Sequence, residues 1–314
     1  MGFYSYPLVA PIAGTFHVKC KDSDLASTER QRDSAGLGER VPRNNDKVAK
    51  GSGSGNPGQS RWFEPIFDRR YPELFGPIEG DAGEEVREIL GLLSPPAGAS
   101  VVDLACGRGR HAIPLASMGF RVTGVDYSEK MLLMGKALAE KEGVSVEWVR
   151  EDMRTFRRPG TYDLFISLFS SFGFFSDQEN QGVLENIEAS LKQSGTLLLD
   201  LRNAAKGFAR PEDGEKTLSV SAGHLRMSVR YDRGTGRARA EHVLTRRDGI
   251  RISSVFDVRI YTKEELVAML RDAGMRVRGF FGSLAGAPHT RLSERMVVVA
   301  DKGITSSRES FRTA

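Results

Sequence analysis

The chain has 314 residues, 39% of them hydrophobic, enough for one large domain or two ordinary ones with a sizeable core. Its formal net charge of +4 lies partly at the ends: residues 61–300 hold 34 Lys and Arg against 33 Asp and Glu, a balance that carries no nucleic-acid footprint. Two cysteines, Cys20 and Cys106, exclude a disulfide framework and match a reducing cytosol, and no run approaches the ~20 apolar residues of a membrane span.

Residues 1–60 mix charge, glycine and serine without a period and end in GSGSGNPGQS, which predicts a disordered extension. The opening MGFYSYPLVAPIAG lacks a basic n-region and is interrupted by Pro7 and Pro11, so it does not read as a signal peptide, and a cytoplasmic protein is expected. Order is expected from WFEPIFDRRYPELF (62–75), followed by a helix in DAGEEVREILGLL (81–93). From there strands and helices alternate: strand Ser100–Leu104, helix Arg110–Met118, strand Phe120–Val125, helix Ser128–Glu142, then strands Val144–Arg150 and Asp163–Phe169. Ser176 with Glu179 is a capping box that opens a helix to about Gln193, and Gly195–Leu201 supplies a fifth strand. Successive βα units mean a parallel, doubly wound sheet, whose ligands bind at the carboxyl ends of the strands.

After Leu201 the pattern changes. Residues 216–260 are β-rich runs broken by DRGTG (232–236) and RDG (247–249), which predict antiparallel hairpins. A second capping box, Thr262 with Glu265, opens a helix to about Ala273, and strands follow at 276–281 and 295–300. The domain plan is therefore a core of 61–203 and 261–301, an inserted β-rich subdomain 204–260 and a flexible tail 302–314.

The chemistry centres on VVDLACGRGRHA (101–112). Gly107-x-Gly109-x-x-Ala112 fits a loose dinucleotide fingerprint, but Asp103 ends the first strand and points a carboxylate into the crevice, where it repels pyrophosphate and attracts a cation. A ligand with an ammonium and a sulfonium but no phosphate suits that charge, and S-adenosylmethionine is such a ligand. Asp126, which ends the second strand 19 residues after Gly107, can accept from both ribose hydroxyls, a feature that suits NAD equally well. Asp152 can accept from an adenine amino group and Met153 can pack on the ring. LFSSFGFF (168–175) forms an apolar loop at the crevice mouth.

These segments resemble the class I S-adenosylmethionine-dependent methyltransferases: VVDLACGRGRHA, VTGVDYS (122–128), VREDMRTF (149–156), YDLFISLFSSFGFF (162–175) and SGTLLLDLRN (194–203) are similar to that family's successive motifs. The LFSSFG loop and the β insertion are most similar to small-molecule enzymes of the amino-sugar N-methyltransferase kind. The resemblance implies a Rossmann-like α/β fold, a seven-stranded methyltransferase sheet with a C-terminal antiparallel hairpin and an inserted antiparallel β subdomain. It implies Asp103, Gly107 and Gly109 on the methionine side of S-adenosyl-L-methionine, with Ala105 also binding the cofactor and Asp126 on the ribose. Tyr127, Asp152 and Met153 would lie at the adenine and the Leu168 backbone near the methionine amino group. Tyr71 matches a tyrosine that lies over the cofactor. Where the amino-sugar enzymes carry a histidine after the loop glycine, this chain has Phe174.

Of the five histidines, His289 reaches the active-site face if the penultimate strand runs parallel to the sheet, and it is the candidate substrate-side base. His111 is expected to pack or cap locally. No His, Cys, Asp and Glu grouping has metal spacing, so no metal is expected. The leading reading is methyl transfer to an N or O nucleophile of a small molecule, with the insertion as substrate wall, lid or dimer contact. An RNA-directed methyltransferase using RRDGIR (246–251), and a non-catalytic adenosyl-ligand or dinucleotide-binding domain, are the alternatives.

Overall fold

The computed structural model describes residues 81–206, 214–220 and 223–303. The predicted extension 1–60, the segment 62–75 with Tyr71, and residues 304–314 of the predicted tail lie outside the described residues.

The elements alternate as the sequence predicts. Helix α1 (Ala82–Leu93), capped by Asp81, precedes β1 (Ser100–Leu104), α2 (Ala112–Ser117), β2 (Arg121–Asp126), α3 (Glu129–Glu142) and β3 (Glu147–Arg150). Then come β4 (Tyr162–Ser167), α4 (Asp177–Ser190) and β5 (Leu191–Arg202). Both predicted capping boxes form, at Ser176 with Glu179 and at Thr262 with Glu265. Helix α2 is shorter than its predicted span, because the residues before it are spent on a turn in which Gly107 and Gly109 take left-handed backbone angles.

The main sheet has seven strands in the order β10–β11–β5–β4–β1–β2–β3, completed by β10 (Met275–Phe281) and β11 (Arg295–Lys302). β1 to β5 are parallel, and the order reverses between β1 and β4, which opens a crevice at their carboxyl ends. β11 is antiparallel to both β5 and β10, so β10 runs parallel to the body of the sheet. One face of the sheet is covered by α4 and α5 (Lys263–Asp272) through Val183, Leu184, Ile187, Leu266 and Leu270. The other is covered by α1 and α2 through Val86, Ile89, Ala112 and Leu115.

Between β5 and α5 the chain builds a second sheet, a meander of β6 (Glu215–Val220), β7 (Gly223–Asp232), β8 (Arg237–Arg246) and β9 (Arg251–Arg259). Burial alternates along β7 to β9, and the inner rungs Val229–Ala240–Phe256 and Tyr231–Ala238–Val258 pack against Phe174 of the main domain and Ala204, where the insertion begins. The aromatic at position 174 thus serves as the anchor between the two sheets, with its ring 6.3 Å from Phe256.

Trp148 of β3 supports the first βα turn from behind. A methyl group added at Gly109 would lie 2.4 Å from its ring, one at Gly135 in α3 2.7 Å, and one at Gly124 in β2 3.1 Å. Glycine in mid-helix ordinarily costs stability, so the indole explains Gly135, whereas Gly182 in α4 has open space around it. Gly135→Ala is accordingly expected to lose about 1–3 kcal/mol from overpacking, and Gly182→Ala to gain about 0.5–1 kcal/mol, measured by urea denaturation. A gain in both variants would refute the packing account of Gly135.

Candidate active site

The site begins at the carboxyl end of β1. Asp103, opposite Gly124 of β2 and Ile166 of β4, is only 2% exposed, and its Oδ2 has no hydrogen-bond partner. Burial pushes its carboxyl up to about 6; the negative charge of Asp126 adds to this, while His111 and the Ala112 amide oppose it. This is a carboxylate stripped of water and lacking a counter-charge on one oxygen.

Left-handed backbone at Ala105 (φ 63°), Gly107 (φ 57°) and Gly109 (φ 78°) curls the next residues over that carboxylate. The alanine costs roughly 1–2 kcal/mol in that conformation. Asp126 holds the curl: its Oδ2 accepts from the Gly107 amide and its Oδ1 from the Ser128 amide, both at 2.8 Å. Burial raises the Asp126 carboxyl, and these amides offset part of that. Cys106 is buried beneath the turn, where its thiol is pushed up by burial and by the two acids, and its sulfur fits over Gly124. Tyr127 follows on the exposed rim.

Asp152 is taken up differently from its sequence reading. Arg154 grips it with Nε and Nη2, its Oδ1 also accepts the Arg154 amide, and Arg154 Nη1 reaches Glu179 of the capping box at 2.7 Å. Its acceptor positions are therefore largely filled by Arg154, within the connection from β3 to β4. Met153 is half-buried against the main core.

After β4 the loop carries two consecutive non-glycine residues in left-handed backbone, Phe169 (φ 56°) and Ser170 (φ 57°). Such strain costs roughly 1–3 kcal/mol per residue and persists only where the surroundings enforce it. Asp200 of β5 enforces it: its Oδ2 accepts from the Phe169 amide at 3.1 Å and its carbonyl from the Ser170 amide at 2.9 Å. Arg295 of β11 pairs with the same carboxylate at 3.2 Å, and both partners are buried. The Phe169 ring is flanked by His111, Arg110 and Arg295 at 5.4–5.5 Å. Glu85 of α1, 1% exposed, receives His111 and Arg110 at 2.8 and 2.9 Å, which holds its carboxyl below the usual range despite burial. His111 thus packs locally, as expected. The Leu168 carbonyl accepts from the Ser171 hydroxyl at 2.8 Å.

Phe169 and Ser170 lie in the LFSSFGFF loop that the sequence places at the crevice mouth, but neither they nor Asp200, Arg295 and Glu85 are singled out there as individual site residues. No glycine marks the strained pair, and the one available signal was an acid, Asp200, in the otherwise apolar run LLLDL.

His289 lies in the loop after β10. Because β10 is parallel to the sheet, this loop does reach the carboxyl edge, and Asn203 Nδ2 clamps it there through the Thr290 and Ser293 carbonyls. Burial and the charge of Lys263 lower the His289 pKa. β10 is nonetheless the edge strand, three places from β4, so His289 lies over the outer end of the sheet, about 15 Å across from the switch point.

Between the two sheets lies a narrow crevice with a cavity of only about 10 Å³, lined in part by Ser170, Phe172, Leu201, Arg202, Arg259 and Tyr261. It is closed by a tight contact: the Arg259 amide donates to the Gly173 carbonyl at 2.8 Å, and a methyl at Gly173 would lie 2.5 Å from the Arg259 carbonyl oxygen. The Tyr261 hydroxyl donates to Asp177 and accepts from Asn180, so the wall is rigid; burial and Asp177 keep its phenol above the ordinary range.

The family described as "Methyltransferase domain" matches residues 101–195, from β1 into β5. Cypemycin N-terminal methyltransferase from a Streptomyces species is 31% identical over 223 residues, which span 66% of this chain and 85% of that one. The chain belongs to the S-adenosylmethionine-dependent methyltransferases. Two solved structures share the fold: the CcbJ methyltransferase from Streptomyces caelestis (TM-score 0.66, 19% identity, 76% of this chain and 98% of that one) and S-adenosylmethionine-bound CalS10, an amino pentose methyltransferase from Micromonospora echinaspora (TM-score 0.52, 22% identity, 70% and 89%).

The methyl donor of this methyltransferase is S-adenosylmethionine. The unpartnered, desolvated oxygen of Asp103 fits a ligand that brings cationic groups and no phosphate, and it disfavours a pyrophosphate.

A direct test follows from Asp103. A carboxyl raised from 3.8 to about 6 on folding makes the native chain the better proton binder between those values. Stability therefore falls as pH rises through that window, and the cost persists at neutral pH. Asp103→Asn is expected to stabilise the cofactor-free methyltransferase by about 1–3 kcal/mol at neutral pH and to weaken S-adenosylmethionine binding by about 10- to 100-fold. Denaturation across pH 4–7 and calorimetry measure the two; a variant that binds the cofactor normally removes Asp103 from the site.

Proposed function

We propose that this methyltransferase acts in the cytoplasm on a small molecule, transferring the methyl group to an N or O nucleophile. The observation that carries the reading is the methyltransferase domain over residues 101–195 together with the similarity to methyltransferases named for small acceptors. Two relatives named for amine methylation support it: the N-terminal methyltransferase above, and the glycine N-methyltransferase of Oryctolagus cuniculus, 35% identical over 133 residues that span 37% of this chain and 44% of that one. The amino pentose enzyme CalS10 points the same way.

In this reading Asp103, Ala105, Gly107 and Gly109 cradle the methionine end of the cofactor and Asp126 its ribose. Tyr127 and Met153 flank the adenine. Asp152 acts there mainly by fixing the turn, since Arg154 occupies its carboxylate, and the Leu168 backbone lies near the methionine amino group.

The bound donor supplies a methyl carbon activated by a sulfonium. With that donor bound, the lone pair of the acceptor N or O would take the methyl carbon as the C–S bond broke, and the bond's electron pair would stay on sulfur as a neutral thioether. The acceptor's proton passes to water or a base. The protein's share is alignment, which lowers such a barrier by about 7–11 kcal/mol in favourable cases. Asp200 and Arg295 provide it by locking Phe169 and Ser170 in place.

The insertion of residues 204–260 forms the acceptor wall and the contact of a homodimer, on a core of 61–203 and 261–301. Incubation with methyl-labelled S-adenosylmethionine and a metabolite pool is expected to yield labelled small molecules. Label found only in RNA, with retention that weakens steeply as salt rises, would replace this reading with the RNA-directed one. On the labelled acceptor, His289→Ala is expected to change kcat less than tenfold, because it stands off from the switch point; a loss of a hundredfold or more would make it the base.

A further inference from the structure

We propose that Glu85 is a positioning residue of this methyltransferase: from α1 it holds His111 and Arg110 against the Phe169 ring and so keeps the loop after β4 in the shape that methyl transfer uses. This rests on the reading of that loop as part of the small-molecule site, and it deepens that reading.

The first turn of α1 carries two acids, Glu84 and Glu85, and both are favoured by the helix N-terminus. Glu84 has that benefit from solvent, whereas Glu85 is 1% exposed. Docking of the helix does not depend on the buried acid, because Val86 and Ile89, both fully buried, join α1 to the apolar cluster of Val101, Ala112 and Leu115. A carboxylate gives up hydration on burial, and a buried ion pair seldom returns more than that in stability. Its return here is geometric.

What Glu85 fixes spans both sides of the site. One oxygen, Oε2, accepts from His111 Nε2 at 2.8 Å and from Arg110 Nη2 at 2.9 Å. These two residues directly follow Gly109, at the end of the turn after β1. They meet the loop that follows the adjacent strand β4: the imidazole stacks on the Phe169 ring at 5.5 Å and 30°, and the guanidinium lies 5.5 Å from the same ring. Asp200 grips the loop from the other direction, through the Phe169 and Ser170 amides and through Arg295, 5.4 Å from the ring. Asp200 therefore fixes the backbone of the strained pair, and Glu85 fixes the seat of its side chain. Two left-handed non-glycine residues persist only while their surroundings hold them, and a displacement of about 1 Å can cost on the order of 100-fold in rate. An acid acting through two other residues thus bears on turnover.

The test is hydrogen–deuterium exchange on the full chain with S-adenosylhomocysteine, the cofactor without its methyl group, bound. Glu85→Gln is expected to speed exchange of the Phe169 and Ser170 amides at least fivefold more than that of β1 and β4; anything less, including an even rise across all three, overturns the assignment. S-adenosylhomocysteine affinity, read by calorimetry, is expected to change less than threefold, because Asp126 holds the cofactor turn independently; a larger loss makes Glu85 part of the cofactor site and also overturns it. Should Glu85→Gln fail to fold, His111→Gln, which keeps a donor for Glu85 and removes the stacked ring, is expected to give the same selective acceleration, and its absence overturns the assignment. On the labelled acceptor, Glu85→Gln is expected to lower kcat about tenfold with the S-adenosylmethionine KM within threefold, and to lower it less than twofold once Phe169→Leu has removed the ring. Equal losses in the two backgrounds show that Glu85 does not act through Phe169. The exchange and labelling results separate the two levels of failure. Selective loop exchange with no labelled small molecule leaves this inference standing and overturns the small-molecule reading; labelled small molecules with an unaffected loop overturn this inference alone.

Discussion

The buried pair of Asp200 and Arg295 joins three parts of the molecule at one point. It ties β5 to the antiparallel strand beside it, supplies the acceptor that keeps Phe169 in left-handed backbone, and sets a cation against the Phe169 ring. A desolvated ion pair is weak evidence of net stability, because its partners forgo hydration. Its value lies in geometry. Without it, nothing in LFSSFG would prefer the conformation that brings the Ser170 hydroxyl to the crevice and seats Phe169 among His111, Arg110 and Arg295.

The site is consequently built on two kinds of disfavoured arrangement. Asp103 is a charge short of solvent and counter-ion, and Phe169–Ser170 is backbone in a region that side chains avoid. The strained pair is held from outside the crevice, by Asp200 of the sheet and by α1, whose Glu85 fixes the His111 and Arg110 that flank the Phe169 ring. Stability conceded at these positions is available as binding specificity.

Much of this was legible in the sequence. The alternation of apolar runs and capping boxes revealed the doubly wound order, and Asp103 alone separated a cationic adenosyl ligand from a dinucleotide. What was not legible has a common physical cause. The strained pair contains no glycine, Arg295 is 95 residues from its partner Asp200, and Glu85 is 26 from His111, so none is visible to local pattern. Asp152, which the sequence offers as an adenine acceptor, has a carboxylate paired with a neighbour two places along, Arg154, a contact that the residue pattern alone does not display. Phe174, noted only for not being a histidine, proves to be the side chain on which the second sheet rests.

Trp148 gives the molecule an optical property. Of the two tryptophans in the chain, this one lies directly behind the cofactor turn, sharing its ring surface with Gly109, Gly124 and Gly135. Any shift of the turn against β2 and α3 must slide backbone across an indole, and indole emission responds to just such changes in contact and polarity. The packing that restricts the turn also makes its motion observable without an added label.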